Sequence, residues 1–199
     1  MVSENKDSFV EYIFHQGTNF EAYNYMGAHR IGAGKKACFR TWAPSAKAIS
    51  VVGDFNSWDE GANPMTKITE GGIWECIVDR VEDYDAYKFA VTGKDGKTIM
   101  KSDPYAYHFE TRPSNASKFY TLDNYNWHDQ EYCKTRTQKN SLNAPINIYE
   151  VNLGSWKRYD DDNYLDYVAI AKELSEYVSS MGYTHVELMP VSEYPFDGS

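Results

Sequence analysis

The sequence predicts a mostly β protein, in which an antiparallel β-sandwich of immunoglobulin-like type is followed by one βαβ unit. Two observations predict this order. Between Ala37 and about residue 122, short segments with alternating apolar and polar residues are separated by turns, which is typical of a sandwich. After Pro145 the apolar residues change to a helical period between two strand-like runs, which is typical of parallel strands joined by a helix.

The alternating segments define the sandwich, which we expect over residues 35–122, behind a lead segment of residues 1–34 that is helical near Val10–Phe14. Asp95-Gly96 is a strong signal for a two-residue hairpin turn. The predicted strands lie in ACFRTWAP (37–44), AISVVGDF (48–55), GIWECIVD (72–79), DAYKFAVT (85–92) and GKTIMKS (96–102).

A polar stretch, residues 123–145, is expected to connect the sandwich to the βαβ unit of residues 146–199. The run INIYEVNLGSW begins that unit, and THVELMPV is its second strand. The helix between them has apolar residues at helical spacing, cap candidates at residues 161–163, and Gly182 placed to end it in a left-handed turn. Two parallel strands and one helix cannot cover both faces of a sheet, so we expect an architecture that is begun here and not completed.

The net charge and the cysteine content disfavour several kinds of partner and site for this chain. The 199-residue chain has a net charge of −9 and a pI of about 5.0, which disfavours nucleic acid and anionic membranes as partners, and it has no long apolar run. Its N-terminus does not resemble a signal peptide. The three cysteines are odd in number and widely spaced, which favours reduced thiols in a cytoplasmic protein and no metal site.

Trp58 is the residue that most directly raises a functional question, because it lies in the polar turn that ends AISVVGDF. An indole face matches the apolar face of a glucose ring, and neighbouring polar groups can bind the hydroxyls. The alternative is that Trp58 packs on the edge of the sandwich or against the architecture that follows. The sequence leaves both interpretations open.

Several stretches resemble the N-terminal part of glycogen (1,4-α-glucan) branching enzymes of the α-amylase clan. The resemblance extends over nearly the whole chain from Tyr12. The last two of the matching stretches are the most specific, whereas debranching enzymes and glycogen-binding regulators share the sandwich motifs. The stretches are GAHR (27–30), FRTWAPSAKAISVVGDFNSWD (39–59), GIWE (72–75), YKF (87–89), DPYA (103–106), IYEVNLGSWKR (148–158) and YTHVELMPVSEYPFDGS (183–199).

This resemblance implies a sandwich of the glycogen-binding type and then the start of an incomplete (β/α)8 barrel. A whole barrel takes roughly 250 residues, so the chain is expected to be a fragment that contacts a missing barrel. The family cleaves an α-1,4 bond and transfers the chain to a 6-hydroxyl with two carboxyl groups and no cofactor or metal. By resemblance those catalytic residues lie beyond Ser199, and the fragment is expected to be inactive. Glu193 and Asp197 are expected to support the barrel rim.

For the sandwich, the resemblance implies α-glucan binding, to glycogen or maltooligosaccharides. It places Trp58 at a sugar-stacking position and Lys88 at a position that hydrogen-bonds sugar hydroxyls, with Asn56 and Asp59 as polar neighbours. Glycogen-binding regulators carry a second stacking tryptophan after an Asp-Gly turn, where this chain has Lys97. We therefore expect weak binding.

Two other functions remain open on the sequence alone. One is a non-catalytic glycan-binding module, although such a module has no use for a βαβ unit after Pro145. The other is a debranching, isoamylase-like hydrolase of the same clan.

Overall fold

The computed structural model describes residues 4–111, 113–122, 125–139 and 142–192. The chain divides into two compact units, one formed by the described residues up to 122 and the other by Tyr125–Ser192. None of the helices in these described ranges is long and apolar enough to cross a membrane.

The first unit contains two sheets that share one core, which confirms the predicted β-sandwich. The strands are β1 (Gly27–Ile31), β2 (Lys36–Trp42), β3 (Ala48–Gly53), β4 (Thr66–Lys67), β5 (Ile73–Val78), β6 (Ala86–Thr92), β7 (Thr98–Lys101), β8 (His108–Phe109) and β9 (Ser117–Lys118). One sheet has the strand order β1-β2-β5-β4, and the other has the order β3-β6-β9-β8 with β7 also paired to β6.

Alternation along the strands sends large apolar side chains from both sheets into this core. Phe39 of β2, Val51 of β3 and Phe89 of β6 are each at most 1% exposed and belong to one cluster. The ring of Phe39 packs edge-on against Tyr87 at a centroid separation of 5.1 Å. Such a core explains why the unit folds with several strands of only two residues, because burial of large side chains rather than ladder length stabilises it.

Strand β1 lies earlier than the expected sandwich start at residue 35. GAHRI has no clear alternation, but it pairs antiparallel with β2, with Gly27 opposite Arg40. The preceding Tyr25 and Met26 are buried with Ile73, which anchors the strand at the edge of the sheet. The lead segment also contains helix α1 (Glu4–His15), which is longer than the expected helix.

The Asp95-Gly96 hairpin has a three-residue loop instead of the predicted two-residue turn. The Gly93 amide donates a hydrogen bond to Lys97 O at 2.9 Å, and the Gly96 amide donates one to Gly93 O at 3.0 Å. Gly96 has φ +79°, the left-handed residue that closes a three-residue loop of this type.

The second unit contains the predicted βαβ arrangement. Strands β10 (Ile148–Val151) and β11 (His185–Leu188) are parallel, with Ile148 opposite His185. The polar connector contains helix α2 (Gln130–Lys139), which the sequence analysis did not predict, and a short helix α3 (Leu153–Trp156) follows β10.

Helix α4 (Tyr167–Ser180) joins the two parallel strands and buries Ile170, Leu174 and Val178. The residue that caps its N-terminus is Asp166, which differs from the expected candidates at residues 161–163. The Asp166 carboxylate accepts a hydrogen bond from the Ala169 amide at 2.8 Å, whereas Asp161 bonds to Asn163. Gly182 has φ +78° after the helix, as predicted.

Candidate glucan-binding site

The turn after β3 presents Trp58 in a fixed orientation. A single 3-10 turn over Asp54–Asn56 follows Gly53, and Ser57 and Trp58 then both take left-handed backbone angles, with φ 55° and 62°. The Trp58 amide donates back to Gly53 O at 3.0 Å. The tight reversal leaves the indole at the surface, 39% exposed.

Asp54 positions the indole, and sequence reasoning missed it. Its Oδ1 accepts the indole Nε1–H of Trp58 at 3.0 Å, while its Oδ2 accepts the Ala86 amide at the start of β6 at 2.8 Å. One carboxylate therefore ties the ring to the neighbouring strand. A ring that is already oriented loses less conformational freedom when a ligand stacks on it.

Asn56 has a structural task in the same turn. Its Oδ1 accepts the Gly53 amide at 2.9 Å, and its amide nitrogen donates to Val51 O at 2.9 Å and to Asn63 Oδ1 at 2.7 Å. These three bonds occupy both amide hydrogens and one oxygen lone pair. The structure thus gives Asn56 a role in the framework of the turn.

Asp59 lies at the exposed surface of the same loop. Its Oδ1 accepts the Gly61 amide at 2.8 Å, which shapes the chain after Trp58. The carboxylate is thus next to the indole in the sequence and also has a structural role in the loop.

Lys88 extends from the middle of β6, opposite Val52 on β3. Its neighbours Tyr87 and Phe89 face the core, so alternation directs Lys88 to the outer face of the sheet. The Lys88 ammonium donates to the side-chain oxygen of Asn115, an exposed residue that sequence reasoning also missed.

The strand register brings these groups to one end of the β3–β6 pair. Gly53 lies opposite Tyr87 and Val52 opposite Lys88, so the Trp58 turn follows directly from the pair that contains Lys88. The arrangement offers an exposed aromatic face, an ammonium and an amide. It suits binding of a polyhydroxylated chain at the surface.

Comparisons with known proteins show which proteins the chain is similar to. Residues 25–106 match the family model for carbohydrate-binding module 48, the isoamylase N-terminal domain. The chain is 44% identical over 193 residues to the 1,4-alpha-glucan branching enzyme GlgB of Halothermothrix orenii, covering 96% of this chain and 31% of that enzyme. It is 46% identical over 192 residues to the enzyme of the same name from Francisella philomiragia, covering 94% and 30%.

Over nearly its whole length the chain is similar to these bacterial 1,4-alpha-glucan branching enzymes. It spans about 31% of the length of the relative from Halothermothrix orenii. The Trp58 turn and Lys88 lie within the residues that match carbohydrate-binding module 48, whereas Asn115 lies after the end of that match.

Solved structures share the fold of this chain at low identity. The pullulanase SAP of group B Streptococcus, in complex with maltotetraose, aligns with a TM-score of 0.60 and 20% identity over 86% of this chain and 24% of that one. The product complex of the pneumococcal glycogen-degrading protein SpuA aligns with a TM-score of 0.63 and 23% identity over 88% and 20%. At these identities the likeness shows the fold.

The expected rim residues, Glu193 and Asp197, lie outside the described residues. In the described part of the βαβ unit, Glu150 and Glu187 lie opposite each other on the paired strands β10 and β11, and both are exposed. Among the described residues, no group of three or more histidine, cysteine, aspartate or glutamate side chains could hold a metal ion.

Proposed function

We propose that the chain acts in α-glucan branching and that its sandwich binds α-glucan chains at the face formed by Trp58, Lys88 and Asn115. The observation that carries this proposal is the oriented indole, which Asp54 holds at the surface beside the strand pair that contains Lys88. Stacking on the apolar face of a glucose unit and hydrogen bonds from the ammonium and amide are the two interactions that a neutral sugar chain can use.

The whole reaction that we assign to the parent enzyme is cleavage of an α-1,4 bond and transfer of the freed chain to a 6-hydroxyl. It proceeds with retention through a glycosyl-enzyme, with one carboxylate as nucleophile and a second carboxyl group as acid and base. We assign neither carboxyl group within residues 1–199. In this proposal, residues 1–199 hold substrate chains while the chemistry takes place elsewhere in the enzyme.

The domain assignment follows the same proposal. The sandwich module takes the residues up to 122, with its first strand at Gly27; residues 123–145 connect it to residues 146–199, which begin the catalytic barrel. Cys38, Cys76 and Cys133 are all free thiols, which is consistent with a reducing, cytoplasmic location.

Identity favours branching over debranching as the parent activity. The chain is 44% identical to the branching enzyme of Halothermothrix orenii, compared with 20% to the streptococcal pullulanase. Pullulanases share the fold, so the likeness to them does not favour hydrolysis.

The test is a titration of amide NMR shifts with maltoheptaose, on the wild type, Trp58→Ala and Trp127→Ala. Trp127 is the matched control, because its indole is 68% exposed and lies outside the sandwich unit. We expect saturable shifts around residues 54–59 and 86–88, lost in Trp58→Ala and kept in Trp127→Ala. Equal binding by the wild type and a folded Trp58→Ala variant would overturn the proposal.

A further inference from the structure

A concave surface of the sandwich unit is lined by aromatic side chains and lies outside the Trp58 face. Its volume is about 230 Å³. Tyr23, from the 3-10 turn Ala22–Asn24, and His29, from β1, form one side. Tyr107, just before β8, and Tyr120, just after β9, form the other. We call this surface the tyrosine groove.

The walls of the tyrosine groove are held in place by bonds that do not involve a ligand. The Tyr107 hydroxyl donates to Tyr23 O at 3.4 Å, which links the two sides. The Tyr120 ring packs against Tyr84, with a centroid separation of 5.5 Å. His29 Nε2 donates to Met26 O at 2.8 Å. Rigid aromatic walls present contact area at low entropic cost on binding.

Charge in the groove is balanced. Arg30 is a cationic lining residue, and its guanidinium donates to Asp83 at 2.6 Å and to the Val81 carbonyl. It also lies over the Phe119 ring, 4.4 Å from the centroid. Because the cation is already paired, the groove does not present a net charge that would select an ionic ligand. Tyrosine faces and hydroxyls without net charge suit a neutral, polyhydroxylated ligand.

Size limits the ligand. Pockets for drug-sized molecules run from roughly 300 to 1,000 Å³, and the groove, at about 230 Å³, is smaller. It suits one hexose ring at a time, with the rest of a chain left outside.

Backbone conformation gives independent support. Bulky residues seldom take positive φ, and such outliers concentrate at functional sites. Tyr84 beside the groove has φ 72° and is 56% exposed, and Trp58 has φ 62°. The two turns lie at the same end of the sandwich, because Asp54 of the Trp58 turn accepts the amide of Ala86, two residues after Tyr84.

We propose that the tyrosine groove is a second carbohydrate site, which binds one glucose unit of an α-1,4-glucan chain. The choice of an α-glucan rests on the proposed function, whereas the neutral hexose class follows from the groove itself. Two separate sites on one small module raise the effective concentration of a chain that reaches both.

The test uses the Trp58→Ala variant of the full chain, so that the Trp58 face no longer contributes. Amide NMR shifts are followed during titration with maltose, which is large enough to place one ring in the groove, and with cellobiose as the β-linked control. We expect saturable shifts at Ala28, Arg30 and Thr121 with maltose and weaker ones with cellobiose. Adding Tyr23→Ala should weaken the maltose affinity about tenfold, as loss of an aromatic contact does.

Tyr23 suits this substitution because its side chain is 50% exposed and its contact with Tyr107 uses only the backbone carbonyl. A Tyr120→Leu variant provides a second test if Tyr23→Ala unfolds. Absence of saturable shifts at the groove, or unchanged affinity in both tyrosine variants, overturns the inference and leaves the Trp58 proposal standing. Groove shifts that persist when the wild type shows none at residues 54–59 support the inference and overturn the Trp58 proposal.

Discussion

At the scale of single residues, the orientation of Trp58 depends on a neighbour with no aromatic or sugar-binding character of its own. Asp54 accepts one hydrogen bond from the indole and another from β6, so one side chain fixes both the ring and the turn that carries it. A stacking residue held in this way differs from an exposed tryptophan on a loose loop, because its face stays available to a ligand.

The Asp54→Ala substitution should therefore weaken glucan binding although Trp58 itself is unchanged. Loss of the two hydrogen bonds frees the ring and loosens the turn, and we expect a fall in maltoheptaose affinity of about fivefold. NMR titration measures it, with Asp79→Ala as the control, since Asp79 is an exposed aspartate that pairs with Lys36 beside the other sheet. If Asp54→Ala bound as tightly as the wild type, the orienting role would be disproved.

Asp103 is a second residue with a large effect, this time in the core. It is fully buried, with its Oδ2 accepting the Tyr87 hydroxyl and its Oδ1 accepting the Tyr105 amide, both at 2.8 Å. Burial raises the pKa of Asp103 to about 6, above the value near 3.9 that an aspartate has in an unfolded chain. The folded protein thus binds a proton that the unfolded chain has already released.

The free energy of unfolding should accordingly fall as the pH rises from about 4 to above 6, by on the order of 3 kcal/mol from this residue. Urea unfolding at pH 4.5 and pH 7.5, on the wild type and on Asp103→Asn, isolates the effect, because the amide does not titrate. The wild type should lose more stability than the variant over this interval. Identical losses in both proteins would show that Asp103 does not titrate in this range.

Some residues of the candidate site can be predicted from the sequence, whereas the roles of others depend on the folded structure. A tryptophan in a polar turn is visible in the sequence, and so is a lysine in an alternating strand. The roles of Asn56 and Asp54 depend on the left-handed turn at Ser57 and Trp58, which the sequence does not specify, since both residues usually avoid that conformation. Asn115 is 27 positions from Lys88, and only the sheet register brings them together.

At the scale of elements, periodicity predicted the helices and strands whose apolar residues follow a clear period. It missed the elements that lack such a period, including a strand that depends on pairing with its neighbour. AISVVG and AYKFAVT alternate and form β3 and β6, and the apolar spacing of α4 gave its buried face. β1 has no pattern of its own and becomes a strand because it pairs with β2. Helix α2 is polar throughout, so no apolar face revealed it.

The start of α4 illustrates why the sequence does not fix the exact residue at which a helix begins. Several acidic residues precede the helix, and the one that caps it is Asp166, whose pKa is lowered by the hydrogen bond from the Ala169 amide. Asp166→Ala should leave the first turn without its acceptor and speed amide exchange at residues 168–170 about fivefold. Hydrogen exchange followed by NMR measures this, and the sandwich amides should not change.

Asp161→Ala is the control for this substitution, because the Asp161 carboxylate bonds to Asn163 and lies before the helix. Faster exchange in the first turn of α4 in both variants would show that general loosening, rather than the cap, is responsible.

At the scale of the whole molecule, the two units differ in how much apolar surface they bury. The sandwich encloses its core between two sheets. In the second unit, shallow clefts along α4 and β11 are lined by Leu153, Ile170, Leu174, Leu188 and Val191. Val168 is 83% exposed and Leu188 47% exposed. Parallel strands are normally covered on both faces, and apolar faces of this kind favour association.

The 199-residue chain should therefore self-associate through the second unit and lose that unit first to proteases. Sedimentation measures the association, and limited proteolysis should leave a resistant fragment that ends near residue 122. Val168→Lys combined with Leu188→Lys should weaken association about tenfold, because it places charge on the exposed apolar surface. Ile99→Lys is the matched control, since Ile99 is 55% exposed on β7 of the sandwich. The exposed faces of α4 and β11 do not drive association if the chain is a monomer whose two units resist proteases equally. The same conclusion follows if Ile99→Lys weakens association as much as the double variant does.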